Sequence, residues 1–294
     1  MSTLRFGTCS WKFPSWNGIV YSARDGINYL SEYAGRYSTV EIDQWFWSLF
    51  DTDAIALPKT ETVAEYLESV PSGFQFTIKA PNSVTLTHFY KKGTQRGSGK
   101  NPYFLSAELF REFLKKIEPM REQTATVMLQ FEYLNKQKMS GLPELTDRLG
   151  GFLEKVGSEW PLSVELRNPN YVQPPYFETL AHHAVSHVFC HGYYMPPAME
   201  VFRRHGARLH GPAFLRLMGT DRRGIEEATG KKWDRIVAPK DDELPGLADT
   251  VVEMLGSRDV YVNVNNHYEG SAPLTIEKLE RLVDERRDRF SQIR

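Results

Sequence analysis

Thr39-Val40-Glu41-Ile42-Asp43 decides the fold. In an extended chain Val40 and Ile42 fall on one face and Thr39, Glu41 and Asp43 on the other. Barrel strands are normally apolar on both faces, inward to the core and outward under the helices. A strand with carboxylates on one face, crowding its C-terminal end, fits a barrel whose interior turns polar at its mouth, where barrel active sites form. The split recurs along the chain. Phe76 and Ile78 oppose Thr77 and Lys79, and Leu129 and Phe131 oppose Gln130. Val164 and Leu166 oppose Ser163, Glu165 and Arg167. Val188 and Cys190 oppose His187 and His191, Arg216 lies between Leu215 and Leu217, and Asn263 and Asn265 alternate with Val262 and Val264. The polar set is expected to face inward.

Working outward, eight strand-like runs appear: Leu4 to Cys9, Thr39 to Asp43, Phe74 to Lys79, Ala125 to Phe131, Leu162 to Leu166, Ser186 to Cys190, Ala213 to Met218 and Val260 to Asn265. Amphipathic stretches separate them, which is the pattern of βα units around a parallel sheet. Helical spacing is clearest at Tyr103 to Ile117 and Thr275 to Arg289, with Thr275 read as the latter's cap. Asp241-Asp242 precede a helix over Leu244 to Leu255, and a shorter helix is read at Met199 to His205. The expectation is a (β/α)8 TIM barrel, one domain over 1–294. Two connections are long, Pro81 to Pro102 after the third strand and Gly219 to Pro239 after the seventh. Structureless loops of that length are commonly lids or binding loops.

Composition sets the bounds. The chain has 294 residues, 41% hydrophobic and 25% charged, ordinary for a globular protein. Thirty-six Lys and Arg against 37 Asp and Glu leave a formal charge of -1, so no global field draws the chain to nucleic acid or anionic lipid. Cys9 and Cys190 are too few for a disulfide scaffold. The N-terminus lacks the apolar core of a signal peptide and no apolar run would span a bilayer, so a cytoplasmic location without membrane contact is expected. No oligomeric state is specified.

Ordered segments along nearly the whole chain carry a family resemblance: Phe6-Gly7-Thr8-Cys9-Ser10-Trp11, Thr39 to Asp43 with Phe46, Gly73 to Pro81, Leu86-Thr87-His88, Leu129-Gln130-Phe131, Val164 to Pro169, Phe214 to Gly219 and Asn265 to Pro273. As a set they resemble the family known as domain of unknown function 72, bacterial and archaeal barrel proteins. The resemblance implies a closed barrel with a polar pocket and supplies no reaction. Cys9-Ser10 stands where the family usually has Ser-Gly, Asp43 where Asn is common, Glu132 where Pro often follows Gln-Phe, and Met218 where a His precedes Gly.

The chemistry is read from the residues. Glu41 and Glu165 are acid–base candidates, since paired carboxylates in unlike environments split into an acid and a base. Lys79 is a third catalytic candidate, as a cation or a Schiff-base amine. Arg167, Arg216 and His88, with Lys79, could clamp an anion. Gln130, Asn168, Asn265 and Asn266 could orient hydroxyls or carbonyls, and Trp11, Asp43 and His191 complete the expected binding set. The opposing reading is an ion-pair network with no ligand.

No cofactor is expected. Should a divalent metal bind, Glu41, Asp43, Glu165, His191 and His267 are its candidate ligands, by fold-level analogy with sugar-isomerase-like and endonuclease-like barrels. Neither a GxGxxG turn nor a Walker Gly-Lys-Ser/Thr is present. The preferred function is an enzyme with acid–base or hydrolytic chemistry on a small anionic or polyhydroxylated substrate. Two alternatives stand beside it. One is a nucleic-acid binding or processing protein, using Lys91 to Lys100 and Arg222, Arg223, Lys231 and Lys232 on phosphates and the aromatics Trp11, Trp16, Trp45, Phe46, Trp47, Tyr171 and Tyr268 around the mouth for stacking, to which Tyr193-Tyr194 adds little discrimination. The other is a non-catalytic small-ligand-binding protein.

Overall fold

A computed structural model describes residues 2–51, 54–89 and 99–292. The eight strands are β1 Leu4–Thr8, β2 Thr39–Ile42, β3 Gln75–Lys79, β4 Thr124–Gln130, β5 Leu162–Glu165, β6 Ser186–His191, β7 Ala213–Leu217 and β8 Val260–Val264. All neighbours pair in parallel, in the order β1-β8-β7-β6-β5-β4-β3-β2. Helices alternate with the strands on the outside, which makes the molecule a TIM barrel. A short hairpin, Leu49–Asp51 with Ala54–Ile55, rises after β2 and was not expected.

The barrel is nearly closed. β1 and β2 share no backbone ladder among the described residues, yet they approach closely: a Cβ on Gly7 would lie 2.2 Å from the Thr39 carbonyl oxygen. The buried Tyr33 hydroxyl bridges this seam, accepting the Thr8 N–H at 2.9 Å and donating to the Thr39 carbonyl at 3.1 Å. Tyr33→Phe strands both backbone groups, at a cost of about 1–3 kcal/mol. A fall in melting temperature of several degrees is expected in a thermal scan, and an unchanged value would show that the seam does not depend on the hydroxyl.

Two helices begin elsewhere than the periodicity suggests. Ser106 accepts the Leu109 N–H at 3.2 Å, so that helix spans Ala107–Lys116, with Tyr103 in the preceding turn. The C-terminal helix spans Ala272–Gln292, because the Asn266 side chain accepts the Ala272 N–H at 2.9 Å. Thr275 is therefore not a cap. It lies buried in the first turn, donating to Glu269 at 2.7 Å. The connection after β7 is long as expected but is not structureless, since it carries the helix Arg222–Thr229, capped by Asp221. The smaller helix at Ala198–His205 is present. No helix is long and apolar enough to cross a membrane among the described residues.

The expected inner polar face holds on β2, β3, β5, β7 and β8 and for Gln130 of β4, and reverses on β6. Val188 packs inside with Met128, Phe214 and Tyr261, and Cys190 clusters with Cys9 and Met218. His187 and His191 face out. His187 sits between Tyr176 and Phe177 of the helix Pro174–His182, with Nδ1 3.0 Å from the Tyr176 hydroxyl. Alternation defines two faces, and on this strand the apolar one fits the interior.

Candidate active site at the barrel mouth

Five charged side chains from the inner faces and C-terminal ends of β2, β3, β5 and β7 form one alternating chain, Lys79–Glu41–Arg216–Glu165–Arg167. Arg216 is its centre. Its Nε and Nη2 grip both oxygens of Glu41, at 2.7 and 2.8 Å, and its Nη1 donates to Glu165. Lys79 lies 3.4 Å from Glu41, and Arg167 Nε lies 2.5 Å from Glu165. Gln130 accepts from Arg216 at 3.4 Å, and the Cys9 sulfur lies 3.6 Å from Nη2.

Both carboxylates are shut off from solvent, Arg216 nearly so. Buried charges of this kind persist only when paired and hydrogen-bonded. Burial pushes the Glu165 carboxyl up, but Arg167, Arg216 and Lys79 together outweigh it and bring its pKa down to about 2. For Arg216 burial works against the charge and Glu165 with Glu41 prevails, raising its pKa well above normal. Beneath the chain Asn263 donates to Thr77 at 2.6 Å across the barrel.

Above this layer opens a cavity of about 850 Å³. Lys79, Arg167, Gln130 and Asp43 line its depth, while Glu41, Glu165 and Arg216 do not reach its wall. Burial, foremost, and the charge of Glu41 raise the Asp43 pKa, Lys79 opposing. A carboxyl so placed is held towards its neutral, proton-donating form. Asn265 and His267 line the β8 side, with His267 Nδ1 2.6 Å from Asn265 Oδ1 and Nε2 3.0 Å from Glu226. Asn266 also lines the cavity while capping the last helix.

Besides Glu41, Glu165 and Arg216, four more residues expected in the pocket do not line it. Trp11 is buried, with its ring edge-on to Tyr66. Asn168 clamps the loop after β4, accepting the Leu134 N–H at 2.8 Å and donating to the Leu134 carbonyl at 3.0 Å. His191 turns outward to Glu243, at 2.8 Å. His88 lines a separate cavity of about 390 Å³ with Lys100 and Lys136, its Nδ1 3.0 Å from the Thr87 hydroxyl.

The five candidate metal ligands do not converge either. Glu41 and Glu165 are spent on Arg216, His191 on Glu243, and His267 on Asn265 and Glu226. No group of three or more metal-ligating side chains forms among the described residues.

Of the two basic stretches, residues 91–98 lie outside the described residues. In the other, Arg222 and Lys231 pair with Glu226 and Arg223 pairs with Glu227, so much of that charge is met by neighbouring carboxylates.

Sequence reading gave little weight to Tyr193 and Tyr194, which follow β6 and line the cavity. Tyr193 covers the Arg167 guanidinium, 3.9 Å from its ring centre. Gly192, Tyr193 and Tyr194 all have positive φ, at 121°, 52° and 62°. A Cβ on Gly192 would meet the Met218 carbonyl oxygen at 2.2 Å, so only glycine fits that turn. Two bulky residues in the left-handed region are costly and gather at functional sites. The Gly-Tyr-Tyr step just past a strand was the available signal. Trp233 and Glu226, from the segment after β7, also line the cavity.

A parallel barrel of eight strands alternating with outer helices belongs to the class of TIM-barrel proteins, and this one opens a charged cavity at the C-terminal ends of its strands. Within that class the chain belongs to the family described as "Protein of unknown function DUF72", whose model matches residues 5–293. It is similar to a DUF72 family protein from Enterococcus faecalis V583, with 19% identity, 96% of each chain covered and a TM-score of 0.66. It is similar as well to a DUF72 family protein from Thermotoga maritima MSB8, with 20% identity, 96% of this chain and 99% of that one covered, and a TM-score of 0.64. Endonuclease IV from Thermus thermophilus shares the fold at 13% identity and a TM-score of 0.50, with 96% of this chain and 99% of that one covered. A search of the curated proteins finds no match.

Proposed function

We propose that the mouth is the active site of an enzyme that holds a small anionic substrate against Lys79 and Arg167 and uses Asp43 to give or take a proton. One observation carries this reading: the alternating chain has three cations and two carboxylates, and its two ends, both cations, lie on the cavity. The chain as built keeps one positive charge in excess, displayed to the open side. A bound anion supplies the sixth charge. Arg167 presents a planar fork suited to carboxylate or phosphate, and Lys79 a compact charge beside it. Glu41 and Glu165, with no path to the cavity, hold those cations in place, and the acid–base role passes to Asp43.

Inorganic phosphate is a sufficient probe for the first half of the reading. Calorimetric titration is expected to detect binding that weakens about tenfold or more in Lys79→Met, in keeping with the loss of one charged hydrogen bond. Glu41 keeps both its bonds to Arg216 in that variant, so the fold should be retained. Phosphate affinity left at the native level in both Lys79→Met and Arg167→Met would remove the anion-binding reading.

A further inference from the structure

From the rim of the same cavity, and resting on the anion-binding reading above, we infer that the substrate carries a flat aromatic ring system joined to its anionic group, in the manner of a nucleoside monophosphate. Among the described residues the large hydrophobic side chains most open to solvent are Trp47 at 55%, Tyr133 at 59% and Tyr194 at 87% exposure. All three line this cavity. They come from three different connections, after β2, β4 and β6, so their meeting around one opening is not a by-product of local sequence. Exposed aromatics gathered at one concave surface mark a binding site far better than the same residues scattered singly. The left-handed turn at Gly192–Tyr194 adds a second observation, because it keeps backbone strain in order to put Tyr194 into solvent.

The polar lining distinguishes a flat ring from a sugar. Sugars are gripped through hydroxyls by free amides and carboxylates, and on the rim the carboxylates of Glu132 and Glu226 and the side-chain oxygens of Asn265 and Asn266 already have protein partners. Glu132 binds Lys138 and Thr87, Glu226 binds Arg222 and His267, and the Oδ1 atoms of Asn265 and Asn266 accept from His267 and from the Ala272 N–H. The exposed rings of Tyr133 and Tyr194 add apolar faces on the same rim. A base stacks on such faces regardless of its hydrogen-bonding edge. The volume of about 850 Å³ is also far more than a bare phosphate needs and suits one drug-sized molecule.

The test compares four probes by calorimetry: adenosine 5′-monophosphate, ribose 5-phosphate, inorganic phosphate and adenosine. The nucleotide is expected to bind about tenfold or more tightly than ribose 5-phosphate, the gain of one stacked base. Tyr194→Ala and Tyr133→Ala, both at exposed positions, are expected to remove most of that advantage. If the nucleotide, ribose 5-phosphate and inorganic phosphate bind alike and neither variant matters, the flat-ring inference falls while the anion reading stands. If adenosine binds as tightly as its monophosphate, the anion reading fails instead. A 5′-phosphorylated decathymidylate binding more tightly than the mononucleotide, with steep salt dependence, would overturn the choice of a single nucleotide in favour of a strand.

Discussion

Arg216→Met is expected to lower the melting temperature by roughly 10 °C, because removing one partner of a buried ion pair costs about 3–5 kcal/mol. Arg216 is the shared partner of Glu41 and Glu165, and both carboxylates are fully buried. Met fills similar space but leaves two negative charges facing each other across the barrel, with only Lys79 and Arg167 at the outer ends. The cost should lie in the uncompensated charges rather than in lost packing. The triple replacement Glu41→Leu/Glu165→Leu/Arg216→Met therefore recovers much of the lost stability, as apolar substitutes for buried ion networks commonly do. Acid provides an independent check. The Glu165 pKa is depressed to about 2 in the folded protein, so its contribution is fully present above the ordinary carboxylate range and fades as the pH falls from about 4.5 towards 2. Thermal melts across that window should show a steeper loss in the native chain than in the triple variant. A melting temperature for Arg216→Met within a degree or two of native would mean that the chain of charges does not hold the barrel interior together.

Asp43→Asn is expected to reduce kcat/KM by about 10²–10⁴-fold while leaving phosphate affinity nearly unchanged, the usual contribution of a positioned acid or base. Asn keeps the shape and can still donate a hydrogen bond, but it has no proton to transfer. Burial holds Asp43 towards its neutral form, so the protonated fraction persists to higher pH than in an ordinary aspartate. If Asp43 acts as the acid, the rate falls as pH rises through that elevated pKa, and the falling limb disappears in Asp43→Asn. A panel of p-nitrophenyl phosphates, sulfates and glycosides provides the readout for hydrolysis. Turnover that survives in Asp43→Asn would dismiss Asp43 as the proton carrier. No turnover of any member would overturn the hydrolytic reading and leave a ligand-binding pocket.

Part of the cavity lining was legible one strand at a time. Lys79, Gln130 and Arg167 line the cavity because each follows the polar parity of its own strand. Parity failed where a strand offered polar residues on the face that packing turned outward. His191 met Glu243, and His187 met Tyr176. It also failed beyond strand ends, where loops answer to partners remote in sequence: Asn168 was taken up by Leu134, and Trp11 by Tyr66. Of the rim aromatics, Trp47 was legible as part of the cluster after the second strand, whereas Tyr133 and Tyr194 carried too weak a local signal. Tyr194 becomes notable only once its exposure and left-handed backbone are known.

The sequence by itself determined the eight strands, their alternation with helices and the presence of charge on one strand face, because period-two patterning is a local property of an extended chain. Only the tertiary structure decided what those charges do. Arg216 reaches Glu41 across a separation of 175 residues. That meeting depends on strand register and on barrel curvature, which bring opposite walls together. The same closure sorts the polar set into two layers: Glu41, Glu165 and Arg216 pair with one another below, and Lys79, Arg167 and Asp43 lie above, facing the open mouth, the two cations there completing the balance of the buried carboxylates.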